Sequence, residues 1–576
     1  MKHTHIGGRI TVLMRTAWVL ALLFFGFSAA SAFAQSTEID GSIQDSQRAQ
    51  VSGARVSITR TETGERREAL SNQEGNFAFP VVLPGHYEVR VEKDGFGTQV
   101  KTGVEALTDK ITVADFVLQP GAVQQQVEVN EAGALLQTES STVSSVIENE
   151  TIVNLPLLDR RASQLQRLNG FVTSAGTGSG TTFAVAGGRG NNATYYIDGG
   201  TATNLLQGVE TLVFDLPVDS LQEFNLTVSD YAAEYGQSGG GIISMTTKSG
   251  TNSFHGSAYT YYRTNKIAAV PQFAAPNPLT GKLVTSPLNY KIFGGSVGGP
   301  IVKDKTHFFF TWEGKYVTSS SPVELSVPTP AETKGDFSGA ISSLISSNPA
   351  KYAGLQLTDP NTGKQAVGDD GTLNKLPSAE LDHYGKALAA YYPAPNLSGA
   401  ALNTNNWAAY DPAKLVDNTY VARIDHILGP RDTLYGRFLG EPQHTDTADI
   451  FPTAGTDNYG SLAHQYYYSE AGTYTHTFSP TLINEARLAF TERQGLTISH
   501  GINSAAEKAL ALPGVNPTYF PGVNVQGLAS IGNVSQQERL QTPILSNEYT
   551  DNLSWQRGNH QFKFGASYRT SADGDK

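Results

Sequence analysis

The ten residues His307–Tyr316, HFFFTWEGKY, decide the fold. Phe308, Phe310, Trp312 and Tyr316 share one parity, while His307, Thr311, Glu313 and Lys315 fall on the other, with Phe309 the one aromatic exception. A period of two is that of a β-strand with one apolar and one polar face. Working outward, Phe562, Phe564, Ala566 and Tyr568 stand opposite Gln561, Lys563 and Ser567. Tyr466 and Tyr468 repeat the pattern, and so do Leu434, Gly436 and Phe438 against Thr433, Tyr435 and Arg437. Repeated segments of about ten residues, apolar outward and polar inward, are the signature of a transmembrane β-barrel, and aromatics near strand ends suit its two interfacial girdles. Over residues 318–412 the alternation stops, and Pro, Ser, Asn and Asp dominate apart from a helical pattern at Ser378–Tyr392 with Leu381, Tyr384 and Leu388 on one side. A long insertion of this kind predicts an extracellular loop of the barrel.

Upstream, residues 121–249 are rich in Gly, Ser, Thr and Asn. The run Leu158–Leu168 has leucines at helical spacing, with Asp159 at the cap position. The apolar content of Gly187–Gly199 and Tyr231–Lys248 is too low for a free globular core, which places both stretches inside the barrel wall. Residues 36–120 read differently. Val56 and Ile58, Phe77 and Phe79, and Tyr87, Val89 and Val91 alternate with polar neighbours, and Gly-containing turns at Thr63-Gly64, Glu74-Gly75-Asn76, Pro84-Gly85 and Asp94-Gly95 separate the runs. Short strands at this spacing predict a small β-sandwich with those seven side chains buried.

The first 34 residues have the form of a secretory signal. Lys2, Arg9 and Arg15 precede the apolar run Ala17–Phe27, and Ala32-Phe33-Ala34 supplies a small-x-small cleavage pattern, placing the cut between Ala34 and Gln35. An apolar core this short does not span about 30 Å of hydrocarbon. The chain of 576 residues carries no cysteine, so disulfides, thiol catalysis and cysteine-ligated zinc are excluded. Its net charge of −12 gives no basic footprint for nucleic acid. Several catalytic motifs are mimicked and fail on context. Gly236-Gln237-Ser238-Gly239-Gly240 fits G-x-S-x-G but runs into the strand-like Ile242–Thr247 rather than a helix. Gly188-Arg189-Gly190 with Ala193 is likewise followed by strand-like Tyr195-Tyr196-Ile197, so no dinucleotide site is expected. The 12 histidines are scattered without metal-ligand spacing. No catalytic residue, cofactor or metal ligand is predicted, and the chain reads as a non-enzyme.

Two resemblances follow from particular strings. Gly75–Phe79, Leu83–Val89 and Asp94-Gly95-Phe96 resemble the carboxypeptidase regulatory-like domain, a prealbumin-like, starch-binding-like sandwich, which implies a passive module with a capacity for carbohydrate binding. Leu155-Pro156-Leu157 with Arg160-Arg161, Ile197-Asp198-Gly199, Glu234-Tyr235-Gly236 with Gly239-Gly240-Gly241, Thr247–Asn252 with Phe254-His255-Gly256, and Gly294–Ile301 occur in the order found in TonB-dependent outer-membrane receptors of the Oar-like type, which this chain resembles. Asp198, Gly199, Tyr235 and Gly236 are the plug-motif residues the resemblance picks out. It implies a mainly β protein of the outer membrane: signal peptide at 1–34, sandwich at 36–120, α+β plug at 121–249, and the N-terminal part of an antiparallel barrel at 250–576, with sandwich and plug on the periplasmic side.

The resemblance further implies an energy-transducing TonB complex as partner, since the outer membrane holds no proton gradient of its own, together with outer-membrane lipid and a large solute such as an oligosaccharide or an iron chelate. Pulling by strand addition needs an extended segment ahead of the plug, and Gln126, Val127, Glu128 and Val129 offer one. Three readings stay open: an energised importer, a non-transporting surface or adhesion protein of the same fold, and a secreted carbohydrate-active enzyme with an appended sandwich, which needs paired carboxylates in a cleft where the sequence shows no credible pair. Residues 250–576 have room for about eight to ten strands, whereas a wall around a plug of this size needs about 22. The sequence is therefore expected to be a C-terminally truncated fragment with two unpaired barrel edges.

Overall fold

The computed structural model describes residues 37–573 apart from 122–125, 131–141, 175–182, 191, 205–210, 213, 233, 237, 275, 360–361, 398–403, 454, 457–458, 511, 516–519, 533–538, 542–543 and 558–559. The signal segment, with its Ala34–Gln35 cleavage point, lies outside the described residues.

Nine strands make the sandwich region: β1 (Glu38–Asp45), β2 (Arg55–Arg60), β3 (Arg66–Leu70), β4 (Asn76–Phe79), β5 (Gly85–Glu92), β6 (Thr98–Ala106), β7 (Ile111–Val113), β8 (Phe116–Leu118) and β9 (Gln126–Asn130). One sheet has the order β3-β2-β5-β6-β9, and the other pairs β1 with β4, β7 and β8. Val56, Ile58, Phe77, Phe79, Tyr87, Val89 and Val91 all point into the core between them. Glu88 and Arg90 lie on the other parity of β5 and are half-buried. A slip of one residue would have exchanged these faces, so the apolar alternation fixes the register.

The plug region contains β10 (Val143–Glu148), β11 (Val172–Ser174), β12 (Phe183–Val185), β13 (Thr194–Ile197), β14 (Gly200–Thr201), β15 (Thr203–Asn204), β16 (Thr211–Leu212), β17 (Leu221–Ser229) and β18 (Ile242–Thr247). Its main sheet has the order β10-β17-β18-β13-β14. The helix expected at Leu158–Leu168 is a 3₁₀ helix confined to Ala162–Leu168, and Asp159 does not cap it. Arg160 has φ 49° and Arg161 is extended, because both side chains are drawn into ion pairs.

The third region is a wall of ten strands: β19 (His255–Thr264), β20 (Leu288–Val302), β21 (Thr306–Leu325), β22 (Trp407–Gly429), β23 (Asp432–Thr447), β24 (Ser461–Ser479), β25 (Leu482–Ser499), β26 (Arg539–Gln541), β27 (Ile544–Arg557) and β28 (His560–Asp573). They pair antiparallel in chain order, with the short β26 on the upper part of β25; β19 and β28 stand at opposite ends of the sheet. Phe310, Leu434, Phe438 and Tyr568 face outward, whereas Phe309, Thr311, Glu313, Arg423, Arg437 and Lys563 are buried on the other face. Phe309, the aromatic out of parity in the sequence, is thus a buried, inward side chain.

Turns at one end of the wall are short, Lys303–Lys305, Pro430-Arg431 and Pro480-Thr481, and the connections at the other end are long. The expected insertion at 318–412 is narrower than composition suggested, because β21 and β22 stay paired as far as Leu325↔Trp407. Ser, Thr and Pro at residues 318–322 do not interrupt a ladder whose hydrogen bonds come from a neighbouring backbone. Within the insertion the helical pattern breaks in two, a 3₁₀ turn at Ser378–Glu380 and a helix at His383–Ala389 capped by Asp382. The long connections form small cores of their own: Tyr391 packs edge-on against Phe520, and Trp407 against Phe451.

Candidate functional site

The contacts that join plug to wall centre on the Ile197-Asp198-Gly199 string. β13 and β14 are a hairpin with Ile197 opposite Gly200, so Asp198 and Gly199 form a two-residue turn. Their φ angles, 47° and 74°, are those of a type I′ turn, for which Asp-Gly is a preferred pair. The turn brings the Asp198 carboxylate to the end of β18, where Thr247 donates from its backbone N and its hydroxyl, both at 2.8 Å. On the wall side two buried arginines converge on the same carboxylate. Arg423 Nη1 lies 3.4 Å from Oδ1, and Arg437 Nε lies 3.3 Å from Oδ2. Arg423 is also held by Asp425 at 2.8 Å and lies 4.4 Å over the Tyr435 ring. The turn's carbonyls are taken as well: Tyr435 donates its hydroxyl to Asp198 O at 3.0 Å, and Arg487 Nη1 donates to Gly199 O at 2.8 Å. A Cβ at position 199 would displace the Arg487 guanidinium, and the positive φ itself favours glycine there.

A second ionic cluster forms at Arg160-Arg161. Arg161 pairs with Asp417 at 2.6 Å and lies 3.7 Å from Glu313, and Asp417 also receives Lys315 at 3.2 Å. Burial alone lowers the Arg161 guanidinium, but the carboxylates of Asp417, Glu441 and Glu313 outweigh it and raise it above its ordinary value. Arg160 pairs with Asp219 at 2.6 Å and lies 4.3 Å over the Tyr261 ring.

The sandwich reaches the plug through the turn between β6 and β7. Thr108 N donates to Glu223 at 2.7 Å, and the Thr108 and Thr246 hydroxyls are 3.0 Å apart. Tyr235 donates its hydroxyl to Asp109 at 2.8 Å, and its ring meets Tyr196 edge-on at 5.2 Å. Burial pushes Glu223 up to about 7 and Glu234 up to about 8, and it also raises Asp109. Beneath the Asp198 turn, Arg60, Asp109, Glu234, Tyr235, Arg487 and Lys563 line a cavity of 180 Å³. That volume suits a few waters and is below the several hundred Å³ of a ligand pocket.

Of the residues singled out from sequence, Asp198 and Gly199 sit at the plug–wall contact and Tyr235 at the plug–sandwich contact. Gly236 adjoins Tyr235, but a Cβ there would meet nothing within 4 Å. Gln126, Val127, Glu128 and Val129 lie in β9, along β6 at the end of the strand order of the first sandwich sheet. Ser238 lies in a turn leading into β18, where its hydroxyl donates to Gly241 O at 2.6 Å and accepts from Gly241 N at 3.1 Å, with a strand and not a helix following. The described residues contain no cluster of three or more metal-ligating side chains. The partners supplied by the wall, Arg423, Arg437, Arg487 and Asp417, were not legible as site residues. Their inward parity on β22, β23 and β25 was the available signal.

An antiparallel wall, apolar outside and polar where it holds a folded plug, defines the class of plugged outer-membrane β-barrel proteins. The chain belongs to the family described as the outer membrane beta barrel domain, which matches residues 246–575, more than half of its length. It is an outer-membrane protein, and the short-turn end of the wall, where the sandwich lies, is the periplasmic end. Residues 38–119 match the carboxypeptidase regulatory-like domain. A curated relative, "TonB-dependent transporter Oar" of Myxococcus xanthus, is 28% identical over 306 residues, which cover 52% of this chain and 28% of the relative. Similar solved structures include the outer membrane transporter YddB from Escherichia coli, with a TM-score of 0.47 and 14% identity over 75% of this chain and 48% of that one. The siderophore receptor PirA from Acinetobacter baumannii gives a TM-score of 0.41 and 13% identity over 74% of this chain and 48% of that one. The chain thus spans less than a third of the curated relative and about half of each of these structures.

Proposed function

We propose that the chain forms the sandwich, plug and adjoining wall of a receptor that imports a large solute across the outer membrane, driven through a TonB-type complex. The observation that carries this reading is the chemistry of the plug–wall contact. Val421 and Leu439 are the fully buried wall side chains in the plug's apolar cluster, and Tyr467 packs against its margin. Most of the other contacts described above are ion pairs and hydrogen bonds, centred on Asp198, Arg161 and Gly199. Charged groups of this kind are readily rehydrated in a water-filled lumen, whereas separating an apolar interface costs about 25 cal/mol per Å². A plug held in this way exposes little apolar surface when it moves.

The relative from Myxococcus xanthus, a TonB-dependent transporter by name, supports the same reading. Within it, residues 36–120 are a periplasmic module with carbohydrate-binding capacity, residues 121–249 the plug, and an oligosaccharide or an iron chelate the solute. The chain performs no catalysis in this reading. The test is uptake of labelled oligosaccharides and iron chelates by cells expressing the full-length protein, with and without a proton-motive force. Accumulation that stops when the gradient is dissipated supports import. Surface binding that is indifferent to the gradient would replace it with the adhesion reading.

A further inference from the structure

His444 and His464 are 20 positions apart, a spacing with no ligand signature, yet the pairing of β23 with β24 makes them direct register partners. Their Nδ1 atoms lie 2.6 Å apart and their ring centroids 4.7 Å apart, with the planes at 74°. They share the parity of Leu434 and Phe438, so both stand on the outer face of the wall. They sit near the end of β23 and the start of β24, beside the long connection 448–460 and hence at the extracellular end. Both are half-buried, and the Tyr466 ring meets His444 edge-on at 5.9 Å. Val416 is the register partner of His444 on β22, and Leu496 is that of His464 on β25. Asp446, two residues further along β23, faces His500 at 3.9 Å. The imidazole pair is flanked by apolar and aromatic side chains, and its own nitrogens are the donors it offers.

We propose that His444 and His464 form a two-imidazole site for a divalent transition-metal ion on the extracellular rim, with copper(II) the preferred ion. Neutral imidazole is a ligand for copper, nickel and zinc, and affinity along that series is greatest at copper(II). Metal–nitrogen bonds of about 2.0 Å place two donors about 2.8 Å apart at a right angle and about 3.3 Å apart at a tetrahedral angle. The observed 2.6 Å is nearer the right-angled arrangement of tetragonal copper(II), so the strands need move little to admit it. A contact this short holds one proton between the rings, one nitrogen donating and the other accepting. On binding, that proton passes through solvent to the Nε2 of its own ring, both Nδ1 lone pairs turn to the metal, and water fills the remaining positions. The ion then acts as a clip between β23 and β24. This site is independent of the import reading.

The probe is copper(II), titrated by calorimetry onto the full chain in detergent, with zinc(II) as the second ion and no chelating buffer. The chain has no cysteine, so no thiolate competes for the ion or reduces it. The proposal expects one copper(II) ion per chain, bound more tightly than zinc(II), with two nitrogen ligands in its electron paramagnetic resonance spectrum. His444→Gln should weaken binding at least tenfold, because the second imidazole on the same sheet acts at a high effective concentration. His464→Gln should do the same and serves should the first variant not fold. Copper(II) at about a hundred times its Kd should raise amide protection at residues 444–447 and 461–464 about a hundredfold in the parent and not in the variants. Equal affinity in parent and variants would overturn the assignment, since the ion would then be held by other histidines. No binding by the parent would overturn it too, and so would unchanged protection at saturation.

Discussion

Replacing Asp198 by Asn removes the one carboxylate shared by two buried arginines while keeping the turn, since Asn tolerates positive φ nearly as well as Asp. The two arginines respond unequally. Arg423 keeps Asp425, to which it donates from Nε and Nη2 at 2.8–3.1 Å. Among the described residues, Arg437 keeps one hydrogen bond, from Nη2 to Ser469 at 3.3 Å, and its Nε and Nη1 have no hydrogen-bond acceptor. The loss therefore falls on Arg437, which is left 4% exposed with its charge uncompensated. Unit charges 3.3 Å apart attract by about 5 kcal/mol at an effective dielectric constant of about 20. Breaking one side of a buried pair costs about 3–5 kcal/mol in practice. The assay is amide exchange at Asp198 and Thr247, whose N–H groups are bonded to Met245 O and to the Asp198 carboxylate. A loss of about 3–5 kcal/mol lowers their protection about a hundredfold to a few thousandfold. Adding Arg437→Met should recover most of it, because the double variant no longer buries an uncompensated guanidinium. Protection within threefold of the parent in the single variant, or no recovery in the double, would refute the assignment of Asp198 as the electrostatic pin.

Glu223 is held near 7 by burial against an ordinary 4.5, so the unfolded chain releases this proton first. Plug stability should fall as pH rises from about 4.5 to about 7, and Glu223→Gln should flatten that slope in denaturant titrations across the window. Tyr235→Phe removes the hydroxyl that donates to buried Asp109. The variant should lose about 1–3 kcal/mol at the sandwich–plug contact, read as faster proteolytic release of the sandwich. Phe79→Ala, at a side chain 1% exposed, should cost the sandwich about 3–5 kcal/mol in thermal unfolding while leaving amide protection in the wall unchanged.

Features that depend on local period and turn chemistry are written in the residues themselves. Alternation at His307–Tyr316 and Gln561–Tyr568 specifies strands with one apolar face, because successive side chains on extended backbone point to opposite sides. Tyr87, Val89 and Val91 specify the sandwich register for the same reason. Asp198-Gly199 specifies a turn, since those two residues accept positive φ. Tertiary structure decided which charges meet. Arg161 reaches Asp417 across 256 positions and Arg423 reaches Asp198 across 225, and no local pattern links residues so far apart. Long-range placement also shortened the expected helix at Leu158–Leu168, because ion pairs at Arg160 and Arg161 outweighed a propensity worth a few tenths of a kcal/mol per residue. It likewise laid Gln126–Asn130 along β6. An isolated Val-Glu-Val segment is compatible with any open sheet edge, and its pairing is chosen by the edge that the folded sandwich presents.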